Sequence, residues 1–245
     1  MLLLQFAQQY QNITVPRYQS EGTARSLPEF LQNSEAQLTY KQLFVNEELY
    51  QKSVKNYYRL ISGIDESVGR IVRAVKQQNF AQDTYIIFTS DNGFFLGEKG
   101  LAGKWFGFEP AIRTPLIISS LKNPVLTPQK VIKMTLNIDV APTVLALGQV
   151  DLENKLFHGN SMINEQNARE WWFYEHLFEH PRIPMNVGIR STRYKYLSFP
   201  QHDYEMLFDL NLDPQENINL AYENSYRAIA EKYRSLVQDS VQNLS

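Results

Sequence analysis

Apolar residues recur at intervals of three and four along residues 51–79 of the chain. The positions are Val54, Tyr57, Tyr58, Ile61, Ile64, Val68, Ile71, Val72 and Val75. This spacing places them on one stripe of a long α-helix. Gly63 and Gly69 weaken the intrinsic helix propensity of the segment. We therefore expect tertiary contacts to hold the helix, and the two glycines to permit close packing on a sheet.

Two short apolar runs that follow predict β-strands. Residues 84–90 (TYIIFTS) are apolar on both faces, as in a buried parallel strand, and residues 115–120 (PLIISS) are a second buried-strand candidate. A helix followed by such a strand is half of an α/β repeat. Residues 139–147, with Pro142 in the first turn, predict a helix whose N-cap is Asp139.

After about residue 150 the pattern becomes that of an antiparallel sheet. The strand candidates are residues 171–176, 187–199 and 205–210, and residues 226–244 form an amphipathic pattern typical of a terminal helix. The predicted fold class is therefore α/β over residues 1–150, followed by a smaller α+β subdomain over residues 151–245.

Composition narrows the classes of function. The 245 residues are 43% hydrophobic and carry a formal charge of -2, which gives no electrostatic support for nucleic-acid binding. The chain has no cysteine, which excludes disulfides, thiolate metal sites and a cysteine nucleophile. No apolar run approaches the roughly 18 residues of a membrane helix. The opening MLLLQFAQQY lacks the features of a signal peptide, and we interpret it as a strand cut near its beginning, which indicates an incomplete chain.

The stretch FTSDNGFFLGEKGLAGKW, residues 88–105, contains the candidate chemistry. Asp91 and Asn92 directly follow a predicted strand, at the sheet edge where open α/β proteins bind ligands. A carboxylate beside a carboxamide offers the hard oxygen ligands that suit Ca²⁺ or Mg²⁺. Gly93 allows close backbone approach, and Lys104 brings a cation to the same place. This pattern predicts a site for a metal ion and an anionic group.

A plain turn is the competing interpretation, because Asn-Gly favours a type I′ turn. Calcium requires about 6–8 oxygen ligands. Asp91 and Asn92 supply too few, and no second acidic pair follows another visible strand. If the two residues hold a metal ion, its other ligands come from elsewhere.

An ordered set of motifs between about residues 50 and 222 resembles the C-terminal half of a type I sulfatase. The motifs are YYRLISGIDESVGRIV, SDNG, LGEKGL, GK, RTPLII, NIDVAPTVLAL, HGNSM, GIRSTRYKYL and LFDLNLDPQENINLA. The family belongs to the alkaline-phosphatase-like superfamily. The resemblance implies the C-terminal part of the sulfatase sandwich and a sulfuric ester hydrolase. Residues 171–197 look most similar to members acting on sulfated glycans, especially amino-sugar 6-sulfatases.

The resemblance also implies roles for individual residues. Asp91 and Asn92 match the second pair of calcium ligands, and Lys104 matches the lysine that contacts the sulfate, a catalytic and substrate-binding role. His176 lies where glycan-specific members place substrate-contacting residues, and Arg190 lies in the following strand, where it could meet the negative groups of a sugar. A surface position or packing within the subdomain is the alternative for both.

Other positions have weaker support. Lys99 stands where many members have histidine, so the role of that position is open. Arg193, like Arg190, could either meet the negative groups of a sugar or be a surface or packing residue. We interpret His158, His180 and His202 as surface loop residues. Asp209 and Asp213 are expected to shape the closing turn around DPQEN.

Sulfatases use a formylglycine made within a C/S-x-P-x-R motif and a first pair of aspartates that completes the calcium site. Neither is present in the chain; residues 26–30 (SLPEF) are a near miss, with Phe30 where arginine is needed. We therefore expect a fragment that is inactive alone, with the missing N-terminal part of the enzyme and a sulfated small molecule or glycan as its partners. By family, the intact enzyme is expected to be periplasmic or secreted. A phosphonate or phosphate monoester hydrolase, or a non-catalytic binding remnant, are the alternatives.

Overall fold

A computed structural model describes residues 5–17, 27–122, 130–151, 156–163 and 169–244. The fold is mixed α/β, as predicted, with the elements in the order expected from the sequence. Residues 6–12 form turns, so the strand predicted at MLLLQFAQQY is wrong in its described part, and residues 1–4 lie outside the described residues. No helix among the described residues is both long and apolar enough to cross a membrane.

Three helices form the first part of the chain: Glu29–Gln32 (α1), Glu35–Leu43 (α2) and Glu47–Gln77 (α3). The predicted long helix is confirmed and begins four residues earlier than the pattern indicated. Its N-cap is Asn46, whose side chain accepts a hydrogen bond from the backbone N–H of Leu49 (2.9 Å).

Only the first turns of α3 reach the core. Tyr50 and Val54 are buried, whereas Leu60, Ile61, Ile64 and Ile71 are 48–57% exposed. The expected packing of Gly69 on a sheet is not seen, since a Cβ there would meet only the guanidinium of Arg73, 3.4 Å away. The apolar stripe of α3 therefore faces outward over most of its length.

Both short apolar runs are strands, Tyr85–Thr89 (β1) and Leu116–Ser120 (β4). They pair with each other, Tyr85 opposite Ser120, in an antiparallel two-stranded sheet. The prediction of buried, parallel strands is therefore wrong for this structure. No residue of either strand is buried, and Ile117 is 59% exposed, because the described residues do not fully cover the two faces of the sheet.

A compact loop region connects these two strands. It contains the short strands Phe95–Leu96 (β2) and Ala102–Gly103 (β3), a 3₁₀ turn at Glu98–Gly100 and the short helix Glu109–Ile112 (α4). Seven of its side chains are nearly or fully buried: Phe95, Lys99, Leu101, Ala102, Phe106, Phe108 and Ala111. The loop region is therefore part of the core.

The helix after β4 spans Val140–Leu147 (α5) and follows a 3₁₀ turn at Asn137–Asp139. Asp139 is the N-cap residue of α5, as predicted, but its side chain makes no capping hydrogen bond to that helix. Its buried carboxylate reaches back to the N–H of Leu136 (2.8 Å), accepts from the N–H of Asn160 (2.7 Å) and pairs with the guanidinium of Arg169. Burial acts to raise the pKa of Asp139, but the Arg169 hydrogen bond and the backbone donors hold the pKa below its usual value.

The predicted antiparallel sheet of the C-terminal part is confirmed. Its strands, which lie in chain order, are Trp171–His176 (β5), Asn186–Ser191 (β6), Tyr194–Phe199 (β7) and Tyr204–Asp209 (β8). The segment 187–199 is a hairpin, with Ile189 opposite Tyr196. The terminal helix, also predicted, spans Arg227–Leu244 (α6).

The four-stranded sheet is covered on both faces because its side chains alternate. Leu197 and Phe208 lie in one buried cluster with Phe95, Phe106 and Phe108 of the loop region. Tyr196 and Leu207 lie in a second cluster with Ala230 and Tyr233, of which Ala230 and Tyr233 belong to α6. The first cluster joins residues on both sides of position 150, and a domain boundary there stays a prediction.

Candidate active site

A cleft of about 430 Å³ opens between the end of β1 and the edge strand β5. Asp91, Asn92 and Lys104, which follow β1, line it together with His176 of β5. The structure therefore brings together four of the five residues proposed from the sequence. The remaining lining residues are Trp105, Phe106, Ala111, Ile112, Thr114, Thr135, Leu136, Asn137, Ile138, Trp172, Phe173, Tyr174 and Glu175.

The segment Asp91–Gly93 is held by backbone contacts. The N–H of Gly93 donates to the carbonyl of Ala111 in α4 (2.7 Å), and a Cβ at Gly93 would lie 2.1 Å from the carbonyl oxygen of Pro110. Only glycine allows this approach.

A type I′ turn needs positive φ at both central residues. Neither Asn92 nor Gly93 has positive φ, so the plain-turn interpretation in that form is wrong.

Lys104 lies across from this segment and reaches it. Its Nζ donates a hydrogen bond to Oδ1 of Asn92 at 3.0 Å. The residues on either side have left-handed backbone, with φ of 90° at Gly103 and 85° at Trp105. The loop geometry, rather than side-chain packing, therefore directs this exposed lysine into the cleft.

Asp91 and Asn92 suit part of a hard-cation site. Oδ1 of Asp91 accepts a hydrogen bond from the N–H of Asn92 (2.9 Å), and the Asp91 side chain is exposed at the cleft. Within the described ranges, no group of three or more His, Cys, Asp or Glu side chains could hold a metal ion. The pair fits as two oxygen donors among the roughly 6–8 that calcium takes. It does not form a complete site.

His176 is the last residue of β5 and lines the cleft. Burial lowers the pKa of His176, and the charge of Lys104 acts in the same direction. The imidazole is therefore neutral at pH 7, and can both donate and accept a hydrogen bond. Trp172 and Tyr174 share the cleft with His176. Sequence analysis missed these two, although alternate residues of a strand face the same side and could have identified them.

Arg190 does not line the cleft. Its guanidinium pairs with the carboxylate of Glu109, with Nε 3.2 Å from Oε1 and Nη2 3.3 Å from Oε2. Lys195 contacts Oε1 of Glu109 and Oε1 of Glu216, each at 2.6 Å. This geometry favours the packing alternative for Arg190; substrate contact by this residue stays a prediction. Arg193 lies in the turn after β6 and pairs with Asp209 (2.7 Å).

Glu109, Arg190, Lys195 and Glu216 form one ion cluster, in which Lys195 and Glu216 are buried and Glu109 and Arg190 are partly buried. Oε2 of Glu216 also accepts from the backbone N–H of Glu109 (2.8 Å), at the start of α4. Burial acts to raise the pKa of Glu109, but Lys195 and Arg190 together lower it to about 2. The cluster fixes α4, and α4 in turn holds Gly93 beside the cleft.

Lys99 has a structural position. It is buried, and its Nζ donates to the backbone carbonyls of Gln215 (2.8 Å) and Glu216. Burial lowers the pKa of Lys99 to about 8, against the attraction of Glu216 and Asp213. This lysine ties the loop region to the DPQEN turn and does not line the cleft.

The remaining sequence predictions concern the surface and the closing turn. His158 and His202 are exposed, and His202 stacks on Phe30, with ring centroids 3.9 Å apart. His180 is half-buried outside the named strands. The Asp213 carboxylate accepts from the N–H groups of Asn217 and Ile218, which confirms its role in the turn. Asp209 contributes as well, by accepting from the N–H of Asn211 (3.1 Å).

Two family models match the chain. The sulfatase model matches residues 3–150. The model of the C-terminal region of N-sulphoglucosamine sulphohydrolase matches residues 97–243. The two matches overlap in the loop region that carries Lys99 and Lys104.

Curated relatives and solved structures agree with these matches. The choline-sulfatase of Rhizobium meliloti is 36% identical over 187 residues, which are 74% of this chain and 36% of the relative. The N-acetylglucosamine-6-O-sulfatase of Bacteroides thetaiotaomicron is 30% identical over 204 residues, 77% of this chain and 35% of the relative. The chain therefore spans about a third of the length of these relatives.

Two solved structures share the fold. A 2-O GAG sulfatase superposes with a TM-score of 0.78 at 20% identity, covering 94% of this chain and 53% of that protein. The phosphonate monoester hydrolase of Agrobacterium radiobacter superposes with a TM-score of 0.68 at 26% identity, covering 79% of this chain and 42% of that protein. The fold that contains the cleft therefore occurs both in a protein described as a sulfatase and in one described as a phosphonate monoester hydrolase.

Proposed function

The chain belongs to the sulfatase family, and we propose that it supplies the calcium-binding and sulfate-binding side of a sulfuric ester hydrolase. The observation that carries this proposal is the convergence of Asp91, Asn92 and Lys104 on one cleft, with Nζ of Lys104 3.0 Å from Oδ1 of Asn92. An ammonium beside hard oxygen donors is suited to an anionic group held by a divalent cation.

Each cleft residue has a chemical task in this proposal. Asp91 and Asn92 would hold Ca²⁺, which when bound neutralises charge on the sulfate oxygens. Lys104 contacts a sulfate oxygen and stabilises the charge that develops there. Neutral His176 hydrogen-bonds the ester oxygen or a neighbouring hydroxyl of the alcohol part, which orients the bond to be broken.

The nucleophile and the remaining calcium ligands belong, in our proposal, to an N-terminal part of the sulfatase fold that is separate from these 245 residues. The chain contains neither cysteine nor a C/S-x-P-x-R motif from which formylglycine could be made. The apolar side chains that α3 and the sheet of β1 and β4 expose support the proposal. Apolar surfaces of this kind normally contact another structural layer. This part would cover the outward face of α3.

We propose sulfated glycans as the substrate class, with sulfated small molecules as the alternative. The relative named N-acetylglucosamine-6-O-sulfatase supports the former, and the choline-sulfatase supports the latter. Trp172 and Tyr174 give the cleft aromatic side chains, and Phe178 is 59% exposed just beyond β5. Aromatic faces offer a large apolar surface on which a sugar ring can pack.

Substitution of the cleft residues tests the proposed activity. In an enzyme that contains this chain together with the N-terminal part, Asp91→Ala and Lys104→Met should each lower kcat/KM for a sulfate ester by on the order of 10²–10³. Lys122→Met, which changes an exposed lysine outside the cleft, is the matched control. The 245-residue chain alone should show no turnover. Full activity of Asp91→Ala, or turnover by the chain alone, would contradict the proposal.

Phosphonate ester hydrolysis is the second candidate. It is favoured by the 26% identity to the phosphonate monoester hydrolase, and by a cleft whose cation and oxygen donors suit any tetrahedral oxyanion. Matched p-nitrophenyl sulfate and phenylphosphonate esters distinguish the two. A higher kcat/KM for the sulfate ester supports sulfatase activity. A higher kcat/KM for the phosphonate ester would mean that the enzyme is a phosphonate monoester hydrolase instead. Binding of sulfated sugar with no turnover of either ester by the assembled enzyme would identify a binding remnant.

We also propose, on family grounds, that the intact enzyme works in the periplasm or outside the cell. Fractionation of the source cells with an antibody against this chain tests the location. Recovery of the protein in the cytosolic fraction alone would contradict it.

A further inference from the structure

Asn186, the first residue of β6, is fully buried, and both polar atoms of its side chain are hydrogen-bonded. Its Oδ1 accepts from the backbone N–H of Gly107 (3.1 Å). Its Nδ2 donates to the carbonyls of Trp105 (2.9 Å) and Pro184 (3.1 Å). Two of the three partners thus belong to the segment directly after Lys104.

This segment has a backbone shape that needs external support. Trp105 has φ of 85°, which is unfavourable for a large residue that has a Cβ. Its carbonyl accepts a second hydrogen bond, from the hydroxyl of Tyr174 in β5 (3.2 Å). Gly107 packs so closely that a Cβ there would lie 2.5 Å from Cδ2 of Leu197. The four-stranded sheet therefore holds the segment in three ways. Hydrogen bonds fix the carbonyl of Trp105 and the N–H of Gly107, and Gly107 packs on Leu197.

We propose that Asn186 is a positioning residue for the cleft. By fixing the peptide groups of Trp105 and Gly107, it holds Lys104 where its ammonium meets Asn92 and faces His176. The catalytic importance of that position rests on the proposed function of Lys104. The positioning itself is a property of this chain and can be measured without turnover.

A purely stabilising role for Asn186 predicts a different result from a positioning role. Lys104 is the charged group whose proximity contributes to the low pKa of His176, and the carboxylates of Asp91 and Glu175 line the same cleft. If Asn186 holds Lys104 in place, its loss should reduce the effect of the Lys104 charge on His176. Asn186 also lies directly opposite His176 in the register of β5 and β6, so its loss changes the surroundings of the imidazole by a route that does not involve Lys104. If Asn186 does not position Lys104, Asn186→Ala should shift the pKa of His176 equally whether or not Lys104 is present.

The experiment is an NMR titration of the histidine ring protons in the full 245-residue chain. The four histidines give few signals, and His176→Gln assigns the one of interest. We expect Asn186→Ala and Lys104→Met each to raise the pKa of His176. In the Lys104→Met background, Asn186→Ala should cause a smaller rise than in the wild type, because only the direct effect of the residue opposite His176 remains. An equal rise in both backgrounds would overturn the proposal, as would no rise in the folded single variant.

Asn219 provides a matched control. It is another asparagine of the C-terminal part whose side chain holds backbone: it accepts from the N–H groups of Leu207 and Ala221 (3.0 Å each) and donates to the carbonyl of Glu205 (2.9 Å). It does not line the cleft. Asn219→Ala should destabilise the fold and leave the pKa of His176 unchanged. An equal rise in this variant would overturn the proposal.

A milder variant keeps the test decisive if Asn186→Ala fails to fold. Tyr174→Phe removes one of the two hydrogen bonds to the carbonyl of Trp105 and leaves the ring. We expect a smaller rise in the pKa of His176, which should disappear in the Lys104→Met background, and no change in the folded variant would overturn the proposal. Since these measurements need no substrate, they stand or fall separately from the sulfatase activity.

Discussion

The four-stranded sheet and the sheet formed by β1 and β4 differ in how completely they are covered. The four-stranded sheet β5–β8 packs on the loop region with one face and on α6 with the other, and its central side chains are buried. In the two-stranded sheet that β1 and β4 form, no side chain is buried. Stability in the described part of the chain is therefore concentrated in the C-terminal sheet, although the residues with the clearest chemistry follow β1.

The cleft lies between these two regions and takes its geometry from the covered one. The ion cluster joins β6 and β7 to α4, and α4 receives the N–H of Gly93 through the Ala111 carbonyl. Asn186 holds the backbone after Lys104 from the same sheet. The metal-binding and sulfate-binding candidates are thus supported by residues about 80 or more positions further along the chain.

Removal of Lys195 should have the largest effect, because it would leave the carboxylates of Glu109 and Glu216 buried with less compensation. We expect Lys195→Met to lower the free energy of unfolding by about 3–5 kcal/mol. Urea denaturation followed by far-UV circular dichroism measures this. Arg227→Met is the control, since Arg227 pairs with Glu231 on the exposed side of α6, and should cost less than about 1 kcal/mol. Similar losses would show that the cluster is not central to the covered region.

A pair of apolar truncations compares the two sheets directly. Leu207→Ala, in the covered sheet, should cost about 2–5 kcal/mol because Leu207 is fully buried. Ile117→Ala, in the two-stranded sheet, should cost less than about 1 kcal/mol because its side chain is 59% exposed. Denaturation midpoints of the two variants provide the comparison. A larger loss for Ile117→Ala would mean that the exposed sheet carries more of the stability than its burial indicates.

The pH dependence of stability should report on Lys99, the link between the loop region and the closing turn. Its pKa is about 8 in the folded protein and about 10.5 when unperturbed. Between these values the unfolded chain binds more protons, so the contribution of Lys99 to stability rises with pH, by on the order of 2–3 kcal/mol over the whole interval. Urea denaturation of the wild type and Lys99→Met between pH 7 and 10 tests this. Parallel pH profiles would contradict it.

The smallest effect on stability is expected on the outward face of α3. Ile64→Lys should change the free energy of unfolding by less than about 0.5 kcal/mol, because Ile64 is 48% exposed. The same variant should weaken association with the N-terminal part that we propose to cover this face, which isothermal titration calorimetry can measure. Gln77→Lys, on the exposed last turn of the same helix, makes the same change from a neutral to a positive side chain and is the control. Unchanged association of Ile64→Lys would place that part elsewhere.

Much of the secondary structure follows from local patterns in the sequence. The spacing of apolar residues predicted α3, and the alternating and β-branched runs predicted all of the major strands, because each pattern is set by residues a few positions apart. The meeting of Asp91, Asn92 and Lys104 was also predicted, from a stretch of fewer than 20 residues and its resemblance to sulfatases. These are properties that nearby residues determine.

The errors concern features that distant residues determine. The TYIIFTS run specified a strand but not the direction of its partner or the coverage of its faces. Asp139 looked like a helix cap because its partners, Asn160 and Arg169, are 21 and 30 residues away. Asn186 and Lys195 lie in stretches that resemble sulfatases, but nothing in those stretches indicated the contacts of either residue. A buried polar side chain is normally hydrogen-bonded, but only the fold shows to what.

The hydrogen bond between Gly107 and Asn186 has a consequence for the order of events during synthesis. The two residues are 79 positions apart, and Lys99 and Glu216 are 117 apart. At roughly 5–20 residues per second, a ribosome needs about 4–16 s to extend the chain from Gly107 to Asn186. Throughout that delay the lysine-bearing loop lacks the strand that shapes it. The cleft is thus a late product of folding, completed only when the last quarter of the chain has emerged.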